Sequence, residues 1–195
     1  MVNWKGDIMN ITGVILAGGK SSRMGKDKGL IEINQVPMVC FAIDALSKVT
    51  PLIYISANNP DYEQFSLPLI PDLIPGIGPI GGLQATLSQI KTSHILALSA
   101  DMPLITPRIL QILSDHCKPD SEAIVARHKD KTEPLCAVYS VSILTRVNKQ
   151  IEKTDYSLHN LIELLATEFI DFPTEAGIDP FVNINTPDQY LGING

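Results

Sequence analysis

The densest chemistry in the chain lies in thirteen residues, Leu16-Ala17-Gly18-Gly19-Lys20-Ser21-Ser22-Arg23-Met24-Gly25-Lys26-Asp27-Lys28. Two glycines follow directly on an apolar stretch, and a third comes six residues later. Glycine lets the backbone approach a ligand closely and turn its N–H groups toward phosphate oxygens. Ser21 and Ser22 add hydroxyl donors, while Lys20, Arg23, Lys26 and Lys28 place four cations within nine residues of an otherwise acidic chain. Charge-assisted hydrogen bonds to a polyanion are each worth about 1.5–3 kcal/mol. This composition suits a phosphate cradle; the bland alternative is a solvated, glycine-rich surface loop. A Walker A motif is rejected, because its first glycine would fall on Val14 and Gly13 is out of register by one.

Two further constellations accompany the loop. Leu98-Ser99-Ala100-Asp101-Met102-Pro103 sets one carboxylate at the end of an apolar run, where a proline stops the strand. Mg2+ takes hard oxygen ligands, usually one or two carboxylates plus substrate phosphates, so a single aspartate is chemically sufficient. A turn or helix cap would also use an aspartate there. Upstream, Gly76, Gly78 and Gly81 satisfy G-x-G-x-x-G, with Asp101 about twenty residues further on. A dinucleotide fingerprint, however, closes the first βα unit directly after its strand. Here Pro71, Pro75 and Pro79 interrupt the segment, and the first turn lies far upstream. His94, His116, His128 and His159 stand in no spacing that pairs them with a nucleophile.

These residues carry a resemblance. Leu-Ala-Gly-Gly-x-Ser-x-Arg-Met-Gly-x-Asp-Lys resembles the signature loop of the molybdenum cofactor guanylyltransferase family, within the nucleotidyltransferases of Rossmann-like fold. The resemblance implies that Arg23 and Lys28 neutralise the triphosphate and that Leu16, Ala17 and Gly18 reach the base and sugar. Related pyrimidine transferases usually carry Leu-Ala-Ala-Gly, so Gly18 favours the guanylyl branch. Asp72-Leu73-Ile74-Pro75-Gly76-Ile77-Gly78-Pro79-Ile80-Gly81-Gly82-Leu83 is similar to the family's segment lining the nucleotide and acceptor cleft. Asp72 is then expected at the nucleoside end, with Ser56 and Asn58 in the same pocket. Asp101-Met102-Pro103 matches the family's metal-binding Asp-x-Pro, which makes Asp101 the expected Mg2+ ligand. Val182-Asn183-Ile184-Asn185-Thr186-Pro187 resembles a family segment whose asparagines touch the metal or the acceptor; taken alone, each asparagine reads as a helix cap. The implied reaction is attack by the terminal phosphate of Mo-molybdopterin on the α-phosphorus of GTP, with Arg23, Lys28 and Asp101 as the catalytic set. The implied partners are GTP, Mo-molybdopterin and other molybdenum cofactor proteins. A relative using CTP or UTP with another phosphorylated acceptor, and a nucleotide-binding module without transfer activity, are the competing readings.

The elements that must position these residues follow from the hydrophobic pattern. Val14-Ile15-Leu16, Leu52-Ile53-Tyr54-Ile55, His94-Ile95-Leu96-Ala97-Leu98 and Ala123-Ile124-Val125-Ala126 are continuous apolar runs, suited to parallel strands covered on both faces. Between them, Val39, Ala42, Ile43, Leu46 and Val49 follow helical spacing, as do Ile80, Leu83, Leu87 and Ile90. Ile109, Leu110, Ile112 and Leu113 form a third helix behind Thr106, whose side chain can accept from an orphan N–H, and Pro107. Leu135 to Tyr139 and Phe181 to Ile184 read as antiparallel or edge strands, and Leu158, Leu161, Ile162 and Leu165 as a helix. Alternating strands and helices predict a three-layer α/β/α sandwich with a mostly parallel sheet. Ligands then bind beyond the C-terminal ends of the strands, after Leu16, Ile55, Ile70 and Leu98.

The 195 residues suggest one domain, residues 11–195, preceded by an extension over residues 1–10. At this length a chain buries roughly 70% of its unfolded surface without disulfides or a structural metal. A formal charge of −6 and the lack of a Lys/Arg run speak against nucleic acid as a partner. Cys40, Cys117 and Cys136 are odd in number and lack metal-ligand spacing, which fits a reducing compartment. No apolar run reaches eighteen residues and no signal peptide is evident, so a cytoplasmic address without membrane contact is expected.

Overall fold

The continuous apolar runs become strands because alternate residues in each face two separate helical layers. The computed structural model describes residues 11–18, 27–173 and 179–184. In chain order the elements are β1 (Ile11–Leu16), β2 (Glu32–Ile33), β3 (Val36–Pro37), α1 (Met38–Ser47), β4 (Ile53–Ser56), β5 (Leu69–Ile70), α2 (Pro79–Gln89), β6 (His94–Ser99), α3 (Pro107–His116), β7 (Ala123–His128), β8 (Lys131–Ser140), α4 (Leu144–Glu152), α5 (Leu158–Leu164) and β9 (Thr167–Asp171). In β1, Ile11 and Ile15 join the core under α1 and α3, while Val14 and Leu16 join the core under α2, α4 and α5. The same alternation runs through β6, with Leu96 and Leu98 on one face and Ile95 and Ala97 on the other. The three-layer α/β/α sandwich is therefore present. Leu46 and Leu83, one in each helical layer, are wholly buried, and each such side chain contributes about 1.5–3 kcal/mol from burial.

Seven strands form the main sheet in the order β5-β4-β1-β6-β8-β7-β9. β1 pairs parallel with β4 and β6, and β4 parallel with β5. β8 lies antiparallel between β6 and β7, and β9 pairs parallel with β7. The chain goes from β1 to β4 on one side and returns to β6 on the other. The sheet order thus reverses at β1, and a crevice opens beyond the C-terminal ends of β1 and β6.

Several local expectations are corrected. Phe181 to Ile184 is not a strand. Phe181 packs its ring on His128 and Phe172, at centroid distances of 5.3 and 5.7 Å, while Ile184 turns into a separate cluster with Ile31, Ile33 and Met38. The chain turns there instead of pairing with a strand, with Val182 N–H donating to the Asp179 carbonyl at 3.4 Å. Thr106 occupies the N-cap of α3 with extended backbone, but its side chain makes no capping hydrogen bond. Its main-chain carbonyl instead accepts from the N–H of Ile109 at 3.1 Å. β2, β3, α4 and β9 carried too little pattern to be expected.

No helix among the described residues is long and apolar enough to cross a membrane. The three cysteines are free thiols, with Cys117 and Cys136 buried and Cys40 half-buried. Burial pushes the Cys117 thiol up to about 12.

Candidate active site

The parallel register of β1 and β6 pairs Leu16 with Ser99, so the two strand tips end side by side. Beyond them lies a cleft of about 220 Å³, lined by Leu16, Gly18, Asp27, Lys28, Ser99 and Asp101 among others. The backbone bond from Ala100 N–H to the Leu16 carbonyl, 3.2 Å, holds the two tips together. The glycine loop's first residues and the expected metal aspartate therefore share one cavity. Asp101 Oδ1 accepts from Ser99 Oγ at 2.6 Å, and Asp101 Oδ2 lies 3.5 Å from Lys28 Nζ. The Asp101 carboxylate is largely shielded and Lys28 is about one-third exposed, so the pair sits at the cleft's lip.

A smaller recess, about 20 Å³, continues the cleft past Leu16, Gly18 and Pro79 toward Ser56, Asp72 and Gly82. Asp72 and Asn58 clasp each other: Asn58 Nδ2 donates to Asp72 Oδ2 at 2.8 Å, and Asp72 N–H donates to Asn58 Oδ1 at 2.8 Å. Ser56 Oγ is buried and makes no hydrogen bond among the described residues. A Cβ on Gly82 would lie 2.7 Å from Ser56 Oγ and 3.2 Å from Leu16 Cδ2, so the recess exists because α2 approaches β4 there without a side chain. Gly78, the N-cap of α2, adopts φ 79° and ψ −162°, a region open essentially to glycine alone. The segment that satisfies the dinucleotide pattern lies between β5 and α2, with Gly81 already inside the helix. It is not the turn after the first strand, and the fingerprint reading fails on that ground.

One end of this groove carries a cation beside a carboxylate, and the other presents polar groups in a narrow slot. Among the described residues no group of three or more His, Cys, Asp or Glu could hold a metal unaided. A lone carboxylate completed by ligand phosphates is the set that Mg2+ takes. The geometry suits a phosphorylated molecule whose phosphates lie beside Lys28 and Asp101, with the polar groups of the recess toward its other end.

Residues 13–168 match the model of the MobA-like NTP transferase domain. The chain belongs to this family. The MobA-like assignment extends over nearly the whole length of full-size relatives. The molybdenum cofactor guanylyltransferase of Vibrio parahaemolyticus is 36% identical over 179 residues, covering 90% of this chain and 91% of that protein. The protein of the same name from Vibrio cholerae is 34% identical over 180 residues, covering 90% and 87%. Among solved structures, a protein of Aquifex aeolicus superposes with a TM-score of 0.78 at 28% identity, covering 91% of this chain and 94% of its own. Molybdopterin-guanine dinucleotide biosynthesis protein A from Archaeoglobus fulgidus gives 0.76 at 23% identity, covering 94% and 96%, and shares the fold.

Within the MobA-like frame, Leu16, Ala17, Gly18, Lys28, Ser56, Asp72 and Asp101 all line the cleft or its recess. Arg23, with the rest of residues 19–26, lies outside the described residues, as does Asn185. Asn183 is exposed, and its neighbour Ile184 donates its N–H to the Asp101 carbonyl at 3.0 Å. Three of the four histidines have hydrogen-bond partners, and none lines the cleft. His94 bonds the Ser121 carbonyl at 3.0 Å, His116 meets Glu168 at 2.8 Å, and His128 Nδ1 donates to the Phe172 carbonyl at 2.8 Å. Asp27 and Leu135 line the cleft without having been singled out from sequence. Asp27 stood only within the loop motif ahead of Lys28, and Leu135 only as an apolar strand residue in Glu133-Pro134-Leu135, a segment similar to one of the family's that carried no assigned role.

Proposed function

We propose that this chain transfers GMP from GTP to the terminal phosphate of Mo-molybdopterin, forming the guanine dinucleotide and pyrophosphate with Mg2+ as cofactor. The observation that carries the proposal is the single groove joining Leu16 and Gly18 at the β1 tip to Lys28 and Asp101 at the β6 tip. The name borne by relatives 34–36% identical over 90% of this chain supports a guanylyl donor and a molybdenum cofactor acceptor.

A phosphate monoester has a second pKa near 6, so the acceptor is largely dianionic at neutral pH. Its oxygen forms the new bond to the α-phosphorus, and the bond from that phosphorus to the bridging oxygen of the β-phosphate breaks. No proton has to be removed, in keeping with a cleft lining that holds no histidine among the described residues. What remains for the protein is alignment and charge neutralisation. Lys28 would face the triphosphate, joined by Arg23 from the preceding loop. Asp101, steadied by Ser99, would hold Mg2+. When bound, that ion supplies positive charge to the phosphates. The Asn58–Asp72 clasp would present its carboxylate to the guanine end.

The test is pyrophosphate release from each of GTP, CTP, UTP and ATP, with Mg2+ and a phosphorylated pterin acceptor. GTP should exceed the others by at least roughly 100-fold, as expected where a wrong base leaves the site's polar groups unpaired. Equal use of CTP or UTP would replace the guanylyl reading with a pyrimidine one. Binding of GTP without pyrophosphate release would leave a binding module.

A further inference from the structure

Tyr62 is wholly buried, yet its hydroxyl serves the cleft rather than the core. It stands in the 3-10 turn Pro60–Phe65 after β4, a turn capped by Asn59, whose side chain accepts from Asp61 N–H at 2.9 Å. From there the hydroxyl reaches the loop that follows β1 and donates to Asp27 Oδ1 at 2.6 Å. The same carboxylate oxygen accepts from Gly29 N–H at 3.2 Å and so caps the short turn Lys28–Leu30. The first residue of that turn is Lys28, whose ammonium lies 3.5 Å from Asp101.

Gly29 makes the arrangement possible. A Cβ there would lie 2.4 Å from the Tyr62 hydroxyl and 3.1 Å from Ala100 Cβ. With glycine, the turn rests on the β6 tip while the phenol passes beneath it. A buried hydroxyl is costly unless partnered, and phenylalanine would fill the same volume without that need. Here the partner is a residue of the cleft wall. Burial, then the hydrogen bond to Asp27, then the charges of Asp27 and Asp101 push the Tyr62 phenol far above its ordinary range. It therefore remains a donor at any working pH.

We propose that Tyr62 is a positioning residue for the transfer site: by fixing Asp27 it holds the Lys28–Leu30 turn so that the Lys28 ammonium stays beside Asp101. The proposal deepens the function proposed above and rests on Lys28 meeting the triphosphate. Asp27 is the intermediary, and Tyr62 touches no substrate.

Tyr62→Phe removes the hydroxyl and little else. In steady-state transfer with Mg·GTP, KM for GTP should rise roughly fivefold, less than on removal of Lys28 itself, while kcat stays within about twofold, since a misplaced Lys28 weakens binding of substrate and transition state alike. A purely packing role would change the melting temperature and leave that split absent. In the nucleotide-free protein, acylation of Lys28, read by mass spectrometry against exposed Lys118, should accelerate about threefold, the scale of a loosened lip-exposed ion pair. Tyr62→Phe added to Asp27→Ala should cost nothing beyond Asp27→Ala alone. Wild-type KM together with wild-type Lys28 labelling in Tyr62→Phe overturns the proposal, and so does full additivity with Asp27→Ala. If the unaltered protein transfers no nucleotide, the proposed function falls, and the labelling of Lys28 still decides the role of Tyr62. If Tyr62→Phe does not fold, Asp27→Ala breaks the same contact from the other side, and unaltered Lys28 labelling there is the refuting result.

Discussion

Asp101→Asn keeps the size of the side chain and its bond from Ser99 and removes only the charge. Its effects on folding and on turnover should diverge. Lys28 Nζ lies 3.5 Å from Asp101 Oδ2. At that separation the gross Coulomb attraction is about 5 kcal/mol with an effective dielectric of 20 and about 1 kcal/mol in water. Lys28 is about one-third exposed, so solvent screening and desolvation offset most of it, and the net stability at stake is below about 1 kcal/mol. For a chain of this size that corresponds to a melting shift of about 2–4 °C at most. Losing the charge of the proposed Mg2+ ligand should instead cost at least roughly 100-fold in turnover, about 2.7 kcal/mol of barrier. The assays are differential scanning calorimetry and pyrophosphate release on the same purified variant. A near-normal rate would remove Asp101 from the reaction. A melting loss above about 10 °C would make its role structural and refute the separation of stability from turnover.

Other consequences are equally direct. Lys28→Ala should weaken Mg·GTP binding roughly tenfold or more by isothermal titration, and unchanged affinity would detach the β1 loop from the phosphates. Gly82→Ala places a methyl 2.7 Å from Ser56 Oγ, so overpacking should cost about 1–3 kcal/mol and reduce GTP affinity as the recess closes. Wild-type melting and affinity in that variant would contradict the close approach of α2. Glu122 accepts from Ala166 N–H at 2.8 Å and from Arg146, and these partners, the backbone N–H first, hold its carboxyl below the ordinary 4.5. Its folded value lies below its unfolded one, so its contribution is full above about 4.5 and is lost as pH falls through the lowered folded value. Screening keeps it under about 1 kcal/mol. The melting gap between the unaltered protein and Glu122→Gln should therefore be a few degrees at neutral pH and close in acid; a gap independent of pH would refute the linkage.

The legible parts of the fold were those in which one periodicity persists. β1, β4, β6, β7 and β8 read as strands because residues facing both helical layers are apolar, and α1, α2 and α3 because their buried residues recur at three and four. α4 escaped because only Val147 and Ile151 anchor it fully among mostly polar residues. β9 escaped because its residues are half-buried or exposed. β2 and β3 are two residues each, and their turn uses Asn34 and Gln35 at positive φ, without the glycine that signals such turns. At the site, the strand-tip residues Leu16, Ser56 and Asp101 were accessible because sheet topology dictates where tips converge. Tyr62 was not, because its contact to Asp27 spans thirty-five positions and no local pattern encodes it. The Asn58–Asp72 clasp was only half visible: both residues were expected in the pocket, but their bond to each other depends on β4 and β5 lying side by side.

On the function proposed above, the β1 and β6 tips act together on one triphosphate to make a phosphoanhydride. Incubating the protein with GTP, Mg2+ and molybdenum-loaded molybdopterin and weighing the products by mass spectrometry tests it most directly. The guanine dinucleotide and one pyrophosphate per product should form, both absent when GTP is omitted. Release of GDP and free phosphate, or recovery of intact GTP and unmodified pterin, would contradict it.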